Sequence, residues 1–215
     1  MTAPLADATS RDAILDAAEQ LFAARGLAAT TVKQIGAAAR VNSALLYYYF
    51  PSKEALYDAV LDRLVGGFVA AGGVTLDHAR SPQDAVRALL EWQARALSAR
   101  PQLPRLLARE LADHGARHAQ GPLTGLAARL FSRLCDVIKE GQRQHLFRAD
   151  VDPAFAAIST ISQVAYAFIA RPAVGILLGQ GIDGPGDETL RDFARHAADF
   201  ALAALDPSPR QPASA

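Results

Sequence analysis

The chain has 215 residues, of which 51% are hydrophobic, and its formal net charge is zero. This length allows one large or two small domains with a substantial core. A zero net charge excludes nucleic-acid binding through overall basicity, so any basic surface has to be local. Ala, Leu and Arg dominate while β-branched residues are sparse, which favours an all-helical fold.

Three features indicate the cellular compartment. Cys135 is the only cysteine, so it has no partner for an intramolecular disulfide, and its apolar setting favours a reducing compartment. The N-terminal decapeptide has neither the basic region nor the apolar core of a secretory signal. The most apolar run, Val164–Leu178, is interrupted by Arg171 and Pro172 and is shorter than the about 20 residues that cross a bilayer. We therefore expect a soluble, cytoplasmic protein that does not enter a membrane.

The chain is predicted to begin with a loose tail at residues 1–8. Thr9 or Ser10 has the chemistry of an N-cap, and apolar residues recur after it at helical spacing. Gly26 is a typical C-terminal stop. The first helix is therefore expected between these residues.

Two short helices are predicted next, joined by a tight turn. Thr31 and Gln34 have the spacing of a capping box, which predicts a helix that ends near Arg40. Asn42 is a good cap for the following helix, in which Leu46 and Phe50 lie about one turn apart and should face inward. This arrangement matches a helix-turn-helix, whose second helix enters the DNA major groove.

A fourth helix is predicted to follow Pro51, with Ser52 as its cap. Glycine pairs at 66–67 and 72–73 are expected to weaken its end, which places the boundary between head and body at about residues 70–80. The predicted divisions are a tail (1–8), a helix-turn-helix head with its linking helix (9–72), a helical body (73–205) and a disordered tail (206–215). Five helical segments are predicted in the body: Pro82 to Leu97, Leu103 to His114, Gly121-Pro122 to Gln144, Pro153 onward with a kink at Pro172, and Glu188 to Leu205.

The local charge supports a nucleic-acid interface in the head. From Arg25 to Lys53 the charged residues are all basic, and the first acid is Glu54. Phosphates bind hydroxyls, amines and helix N-terminal amides, and this stretch supplies all three. A pair of short helices with surface tyrosines and lysines is also common in proteins that do not bind DNA, so this pattern alone leaves both interpretations open.

The head resembles the DNA-binding domain of the TetR family of bacterial regulators. The residues that carry the resemblance are Val41, Leu46-Tyr47, Phe50 and Ser52-Lys53-Glu54-Ala55-Leu56, preceded by Arg25-Gly26 at the end of a helix. It covers about the first 65 residues. The resemblance implies an all-α homodimer with an N-terminal three-helix helix-turn-helix head and a C-terminal helical bundle for ligand binding and dimerisation.

Position by position, the resemblance also implies roles for residues of the head. Phosphate contacts are expected from Thr31, Tyr47, Tyr48 and Lys53, and base contacts from Lys33, Ser43, Ala44 and Leu45. Asn42, at the start of the recognition helix, completes the expected DNA-binding set.

Two positions depart from the family pattern. Arg40 occupies the turn position that usually holds Gly, which implies either a left-handed arginine or a reshaped turn, with a strain of order 1 kcal/mol. Its side chain could contact a phosphate or remain solvated. Ala44 and Leu45 have no hydrogen-bonding side chains, so we expect operator recognition to depend on half-site spacing and DNA shape as well as on bases.

In the body, the resemblance implies a small-molecule effector whose binding moves the fourth helix and changes the separation of two heads. Polar and aromatic residues on apolar helices are candidates for its pocket, although each is also compatible with a core or surface role. They are Trp92, Arg95, Arg109, Glu110, His114, Phe131, Cys135, Gln163 and Tyr166. His114 and His118 have the spacing of two metal ligands, but no further Cys or His lies nearby, and we expect neither a metal nor a cofactor.

The expected partners are a double-stranded DNA operator, a small-molecule effector whose identity and charge stay open, and a second copy of the chain. Apolar helices near residues 153–180 and 187–205 are predicted to form a four-helix dimer interface, because the family usually dimerises in this way. The predicted function is a ligand-responsive transcriptional regulator. We expect it to be a repressor that binds a palindromic operator as a homodimer and that a small-molecule inducer releases.

Two other classes of protein are compatible with parts of this sequence. One is a helical enzyme that uses Cys135 or a histidine, but Cys135 has no evident base and no acid pair or phosphate loop is visible. The other is a protein-binding scaffold that keeps the head without DNA affinity, against which Thr31, Tyr47 and Lys53 argue. We therefore predict a regulator and not an enzyme.

Overall fold

The computed structural model describes residues 4–122, 125 and 128–207, and no strand is present among them. The all-α prediction is confirmed. The helices are α1 Pro4–Ala29, α2 Val32–Ala39, α3 Ser43–Tyr49, α4 Lys53–Asp77, α5 Pro82–Ala99, α6 Gln102–His114, a single turn α7 Gln120–Pro122, α8 Ala128–Arg143, α9 Pro153–Ile169, α10 Arg171–Leu177 and α11 Asp187–Leu205.

Contacts divide the chain into two compact units. The first comprises Met1–Gly67 and Arg100–Leu126, and the second comprises Phe68–Ala99 and Ala127–Ala215. The helix α4 begins in the first unit and ends in the second. The helix α6, which follows the predicted body boundary in sequence, belongs to the same unit as the helix-turn-helix.

In the first unit, α1 packs against α2, α3 and α6. Phe22 is fully buried and meets Tyr57 edge to face, with ring centroids 5.1 Å apart. Ile35 of α2 and Leu46 of α3 are fully buried too. Burial of side chains of this size stabilises the fold by about 1.5–3 kcal/mol each, which fixes α2 and α3 against α1.

The first helix begins earlier than its cap residues suggested. The predicted start at Thr9 or Ser10 is wrong, since α1 begins at Pro4, within the predicted tail. Proline is favoured in the first turn of a helix, and the alanines and leucine after it are good helix formers. Gly26 breaks the helix as predicted, with φ 80° and ψ 171°, but one more helical turn follows it to Ala29.

In the second unit, α5, α8, α9 and α11 surround one core. Val86, Leu134 and Ile138 are fully buried there. The predicted break at Pro172 is confirmed, because α9 ends at Ile169 and α10 leaves it at an angle of 87°. Of the helix predicted from Gly121-Pro122 to Gln144, the structure describes α7 and α8, and residues 123, 124, 126 and 127 lie outside the described part. Most of the predicted tail, residues 208–215, also lies outside it.

The helix α4 continues past both glycine pairs to Asp77. A Cβ added at Gly72 would lie 2.9 Å from Cζ3 of Trp92, so glycine is needed here for close packing and does not end the helix. By length and composition alone α4 could cross a membrane. Its residues Val60, Leu61 and Leu64 are buried inside the protein, as expected for the core helix of a soluble protein.

Candidate nucleic-acid interface

The start of α2 is held by the predicted capping box. The Thr31 hydroxyl accepts the Gln34 N–H at 3.3 Å, and Oε1 of Gln34 accepts the Thr31 N–H at 2.9 Å. Thr31 is exposed, so its hydroxyl proton remains available to an external acceptor. Lys33, in the first turn, is exposed as well. The N-terminal end of α2 is therefore capped and accessible, and its contact with phosphate stays a prediction.

Arg40 ends α2 in the left-handed conformation, with φ 58° and ψ 38°. The sequence implied either a left-handed arginine or a reshaped turn at this position, and the structure shows the left-handed arginine. Its N–H donates to the carbonyls of Ala37 and Gly36, and the N–H of Val41 donates to Gly36 at 2.9 Å. A Cβ on Gly36 would lie 2.9 Å from the Val41 carbonyl oxygen, so the turn is tight.

The recognition helix α3 has the predicted orientation. Oδ1 of Asn42 accepts the Leu45 N–H at 2.8 Å and so caps the helix. Leu46 and Phe50 are buried, whereas Tyr47 is 53% exposed and Tyr48 is 75% exposed. Exposed tyrosines of this size on one short helix provide hydroxyls for phosphate and base contacts.

The remaining predicted base contacts share this accessible side of α3. Ser43 and Ala44 are exposed, and Leu45 is half-buried. Only Ser43 among the three has a hydrogen-bonding side chain. The surface at the N-terminal end of α3 is therefore mainly apolar, which suits contact with thymine methyl groups.

The ammonium of Lys53, which was expected to contact phosphate, is bound to backbone carbonyls of the protein. Its Nζ donates to the Leu27 carbonyl at 2.8 Å and to the Thr30 carbonyl at 3.0 Å. These carbonyls end the last turn of α1, so the ammonium caps that turn. An ammonium has three donors, so one remains for a phosphate.

Arg109 performs a similar role at the break in α1. It donates through Nε to the Ala23 carbonyl at 3.3 Å and through Nη2 to the Ala24 carbonyl at 2.9 Å. The fully buried Thr30 hydroxyl donates to the Gly26 carbonyl at 2.8 Å. Side chains of α4 and α6 therefore satisfy the backbone where α1 breaks, which fixes the approach to the helix-turn-helix.

The other two predicted ligand residues of the first unit form a polar cluster beside Tyr57. Glu110 is only 1% exposed, and its Oε1 accepts the His118 N–H at 2.7 Å. Nδ1 of His118 lies 2.8 Å from Oδ1 of Asp58, and the His114 and His118 rings pack edge to face with centroids 5.1 Å apart. Burial raises the pKa of the Tyr57 hydroxyl, and the negative charge of Glu110 raises it further. Within the described residues no group of three or more potential metal ligands occurs.

The six predicted ligand residues of the second unit contact different neighbours from one another. Trp92 stacks on Phe68 with centroids 4.6 Å apart, and Arg95 forms an ion pair with Glu91 at 3.7 Å. Phe131 packs against the core cluster that contains Cys135, and burial raises the pKa of the Cys135 thiol. Gln163 donates to the Ser159 carbonyl of its own helix, and Tyr166 is exposed on α9.

Sequence reasoning missed Gln93. It is buried, its Nε2 donates to the Ile161 carbonyl at 3.1 Å, and its Oε1 has no hydrogen-bond partner within the described structure. Buried polar atoms are nearly always hydrogen-bonded, so this oxygen is a candidate acceptor for a ligand. The signal was available, since Gln93 follows Trp92 on the apolar side of α5, but a single glutamine has many other roles.

Two sequence profiles of known families match the chain. The profile described as bacterial regulatory proteins, tetR family, matches residues 14–60. The profile described as the tetracyclin repressor-like C-terminal domain matches residues 82–200, which is more than half of the chain. The chain belongs to the TetR family. The family resemblance inferred from the head therefore extends to the body.

Similar proteins agree with the TetR assignment. The HTH-type transcriptional repressor NicS of Pseudomonas putida is 31% identical over 199 residues, which cover 91% of this chain and 92% of that protein. The HTH-type transcriptional repressor KstR2 of Rhodococcus jostii is 32% identical over 165 residues, 73% of this chain and 79% of that protein.

A solved structure shares the TetR fold. The transcriptional regulator FadR from Bacillus subtilis, in complex with stearoyl-CoA, superposes with a TM-score of 0.74 at 15% identity and covers 90% of this chain and 98% of that one. The chain described here is a DNA-binding transcriptional regulator of the TetR family, and the two relatives just named are transcriptional repressors. Proteins of this family bind operator DNA and small effectors, usually act as dimers and are generally not enzymes.

Proposed function

We propose that this protein binds a palindromic operator as a homodimer through α2 and α3, and that a small molecule bound in the second unit releases it. The observation that supports this most directly is the accessible surface of the recognition helix, on which Ser43, Tyr47 and Tyr48 are exposed without a neighbouring acid in sequence. Exposed hydroxyls without a nearby carboxylate suit contact with the phosphates of DNA.

The proposed DNA contacts divide by chemistry. Phosphates are bound by Thr31, Tyr47, Tyr48 and the remaining donor of Lys53. Bases are contacted by Lys33, Asn42, Ser43, Ala44 and Leu45, with Asn42 using its amide nitrogen because its oxygen caps α3. Ala44 and Leu45 contribute apolar contacts, so half-site spacing and DNA shape supply part of the specificity.

The proposed dimer forms through α9 and α11, which pack side by side in the second unit. Phe155 and Tyr166 on α9 are 71% and 59% exposed, and Phe200 on α11 is 61% exposed. Large exposed aromatics on two adjacent helices indicate a protein interface. Two helices from each copy would then form a four-helix interface.

The effector is proposed to bind in the second unit near Trp92, Gln93 and Phe131. The free acceptor of Gln93 selects a ligand with a hydrogen-bond donor on an otherwise apolar body. Arg109 and Glu110 form hydrogen bonds with backbone groups of the first unit and are not part of this proposed site. Thermal-shift screening with hydrophobic, aromatic and cationic compounds tests this proposal. If a ligand raises the melting temperature of Gln93→Leu by as much as that of the wild type, Gln93 does not contact it.

A binding titration tests the DNA function. The protein is titrated against the duplex upstream of its own gene and against random duplex of equal length, across a range of salt concentrations. Specific affinity should fall steeply with salt through counterion release, and Tyr47→Phe should weaken it about tenfold through the lost phosphate hydrogen bond. Tyr57→Phe is the matched control, because Tyr57 is buried and its hydroxyl does not reach the DNA surface, and this variant should bind as the wild type does. If the protein binds the upstream duplex no more tightly than random DNA, the result favours the scaffold interpretation.

A further inference from the structure

The left-handed turn at Arg40 does not depend on the arginine side chain. The turn is fixed by backbone hydrogen bonds from Arg40 to Ala37 and Gly36 and from Val41 to Gly36, and by the absence of space for a Cβ on Gly36. Glycine adopts a φ of 58° without strain, whereas residues with a Cβ rarely do. An arginine here therefore strains the turn that it occupies. Strain of this kind clusters at functional sites, which makes the Arg40 side chain a candidate for a function.

The charge around Arg40 has one sign. Between Gly26 and Ser52 the only charged residues are Lys33 and Arg40, and both are basic. Arg40 is exposed, and within the described part of the chain its guanidinium has neither an ion pair nor a hydrogen bond. The next cation, Lys53, already donates to two carbonyls of α1. Lys53 therefore has one donor left for a partner, whereas within the described residues the side chains of Lys33 and Arg40 have all of theirs.

We propose that Arg40 is a DNA-phosphate contact of this protein, which rests on the proposed operator binding. A guanidinium presents a planar fork of donors that matches two phosphate oxygens, which a lysine ammonium does not. Arg40 precedes the cap of α3, whereas base edges are contacted from residues within the N-terminal turns of the recognition helix. The contact is therefore to the backbone, and it contributes affinity and register without reading sequence.

Two substitutions distinguish the effect of losing the phosphate contact from the effect of changing the turn. Arg40→Gly removes the guanidinium and relieves the left-handed strain, and Arg40→Asn removes it with another residue that tolerates this conformation. Both variants should keep or raise the melting temperature. Each should bind the duplex upstream of its own gene and a random duplex about tenfold more weakly at low salt, by a similar factor for both. The slope of log affinity against log salt should become shallower by about 1.8 for a dimer, since each lost phosphate contact accounts for about 0.9.

Arg105→Ala is the matched control, because Arg105 is an exposed arginine of α6 and its loss changes the net charge equally. It should leave both affinities and the salt slope near those of the wild type. Wild-type affinity and slope in Arg40→Gly would overturn the proposal, and so would a loss confined to the upstream duplex, which would indicate a base contact. A wild-type protein with no preference for any duplex would refute operator binding instead, while the effect of Arg40 on random DNA would still be measurable.

Discussion

At the scale of single residues, Lys53 connects the stability of the head with its DNA surface. Its ammonium is half-buried and donates to the Leu27 and Thr30 carbonyls. Lys53→Met should therefore lower the free energy of unfolding by about 1–3 kcal/mol, because two carbonyls lose a charged donor. Urea unfolding measures this. Lys33→Met is the control, since Lys33 is exposed; equal stability of the two variants would show that the caps contribute nothing.

The buried Tyr57 should make the free energy of unfolding depend on pH in the alkaline range. Burial, followed by the charge of Glu110, raises the pKa of its hydroxyl, so the folded state favours the protonated phenol. The stability that this contributes is fully present below the unfolded pKa of about 10 and is lost as the pH rises above it. Urea unfolding at pH 8, 10 and 11 should show a larger alkaline loss in the wild type than in Tyr57→Phe. Parallel losses in both proteins would contradict this account.

At the scale of the helices, glycines in α4 differ according to what surrounds them. A Cβ at Gly67 would lie 3.6 Å from an Arg100 nitrogen, which is ordinary contact, whereas at Gly72 it would lie 2.9 Å from the Trp92 ring. Gly67→Ala should raise stability by about 0.5–1 kcal/mol through helix propensity. Gly72→Ala should lower it, because overpacking costs about 1–3 kcal/mol. Thermal unfolding of both variants checks the opposite signs, and a stabilising Gly72→Ala would refute the close packing at Trp92.

The helices that the sequence predicted well are those with local signals. The capping box of Thr31 and Gln34, the cap at Asn42 and the inward pair Leu46 and Phe50 each involve residues within one or two turns, and the structure confirms them. The start of α1 was misplaced because Pro4 also begins a helix, so the caps at Thr9 and Ser10 were not needed.

Roles that depend on distant partners could not be predicted. Arg109 caps carbonyls about 85 residues away in sequence, at Ala23 and Ala24, and nothing near Arg109 indicates this. Lys53 was expected at phosphates because of its motif, and its contacts with Leu27 and Thr30 emerge only when α1 and α4 are packed. The ligand residues stay a prediction for the same reason, since a pocket is defined by side chains that several helices bring together.

At the scale of the whole molecule, the proposed dimer makes function depend on α9 and α11. Phe200→Glu places a charge at an exposed aromatic of α11 and should convert the dimer to a monomer, because burial of an unpaired carboxylate is unfavourable. Sedimentation velocity measures the mass. Leu111→Glu, a comparable exposed hydrophobe on α6, is the control and should remain dimeric. A dimeric Phe200→Glu would place the interface elsewhere.

In the proposed complex, two copies of the helix-turn-helix head bind one operator. Hydroxyl-radical footprinting of the protein on its tightest-binding duplex tests this directly. It should protect two symmetry-related patches on one face of the DNA, with centres about 34–36 Å apart or a multiple of that distance. A single protected patch, or two patches whose centres are not separated by a whole number of helical turns, would contradict the paired arrangement of the two recognition helices.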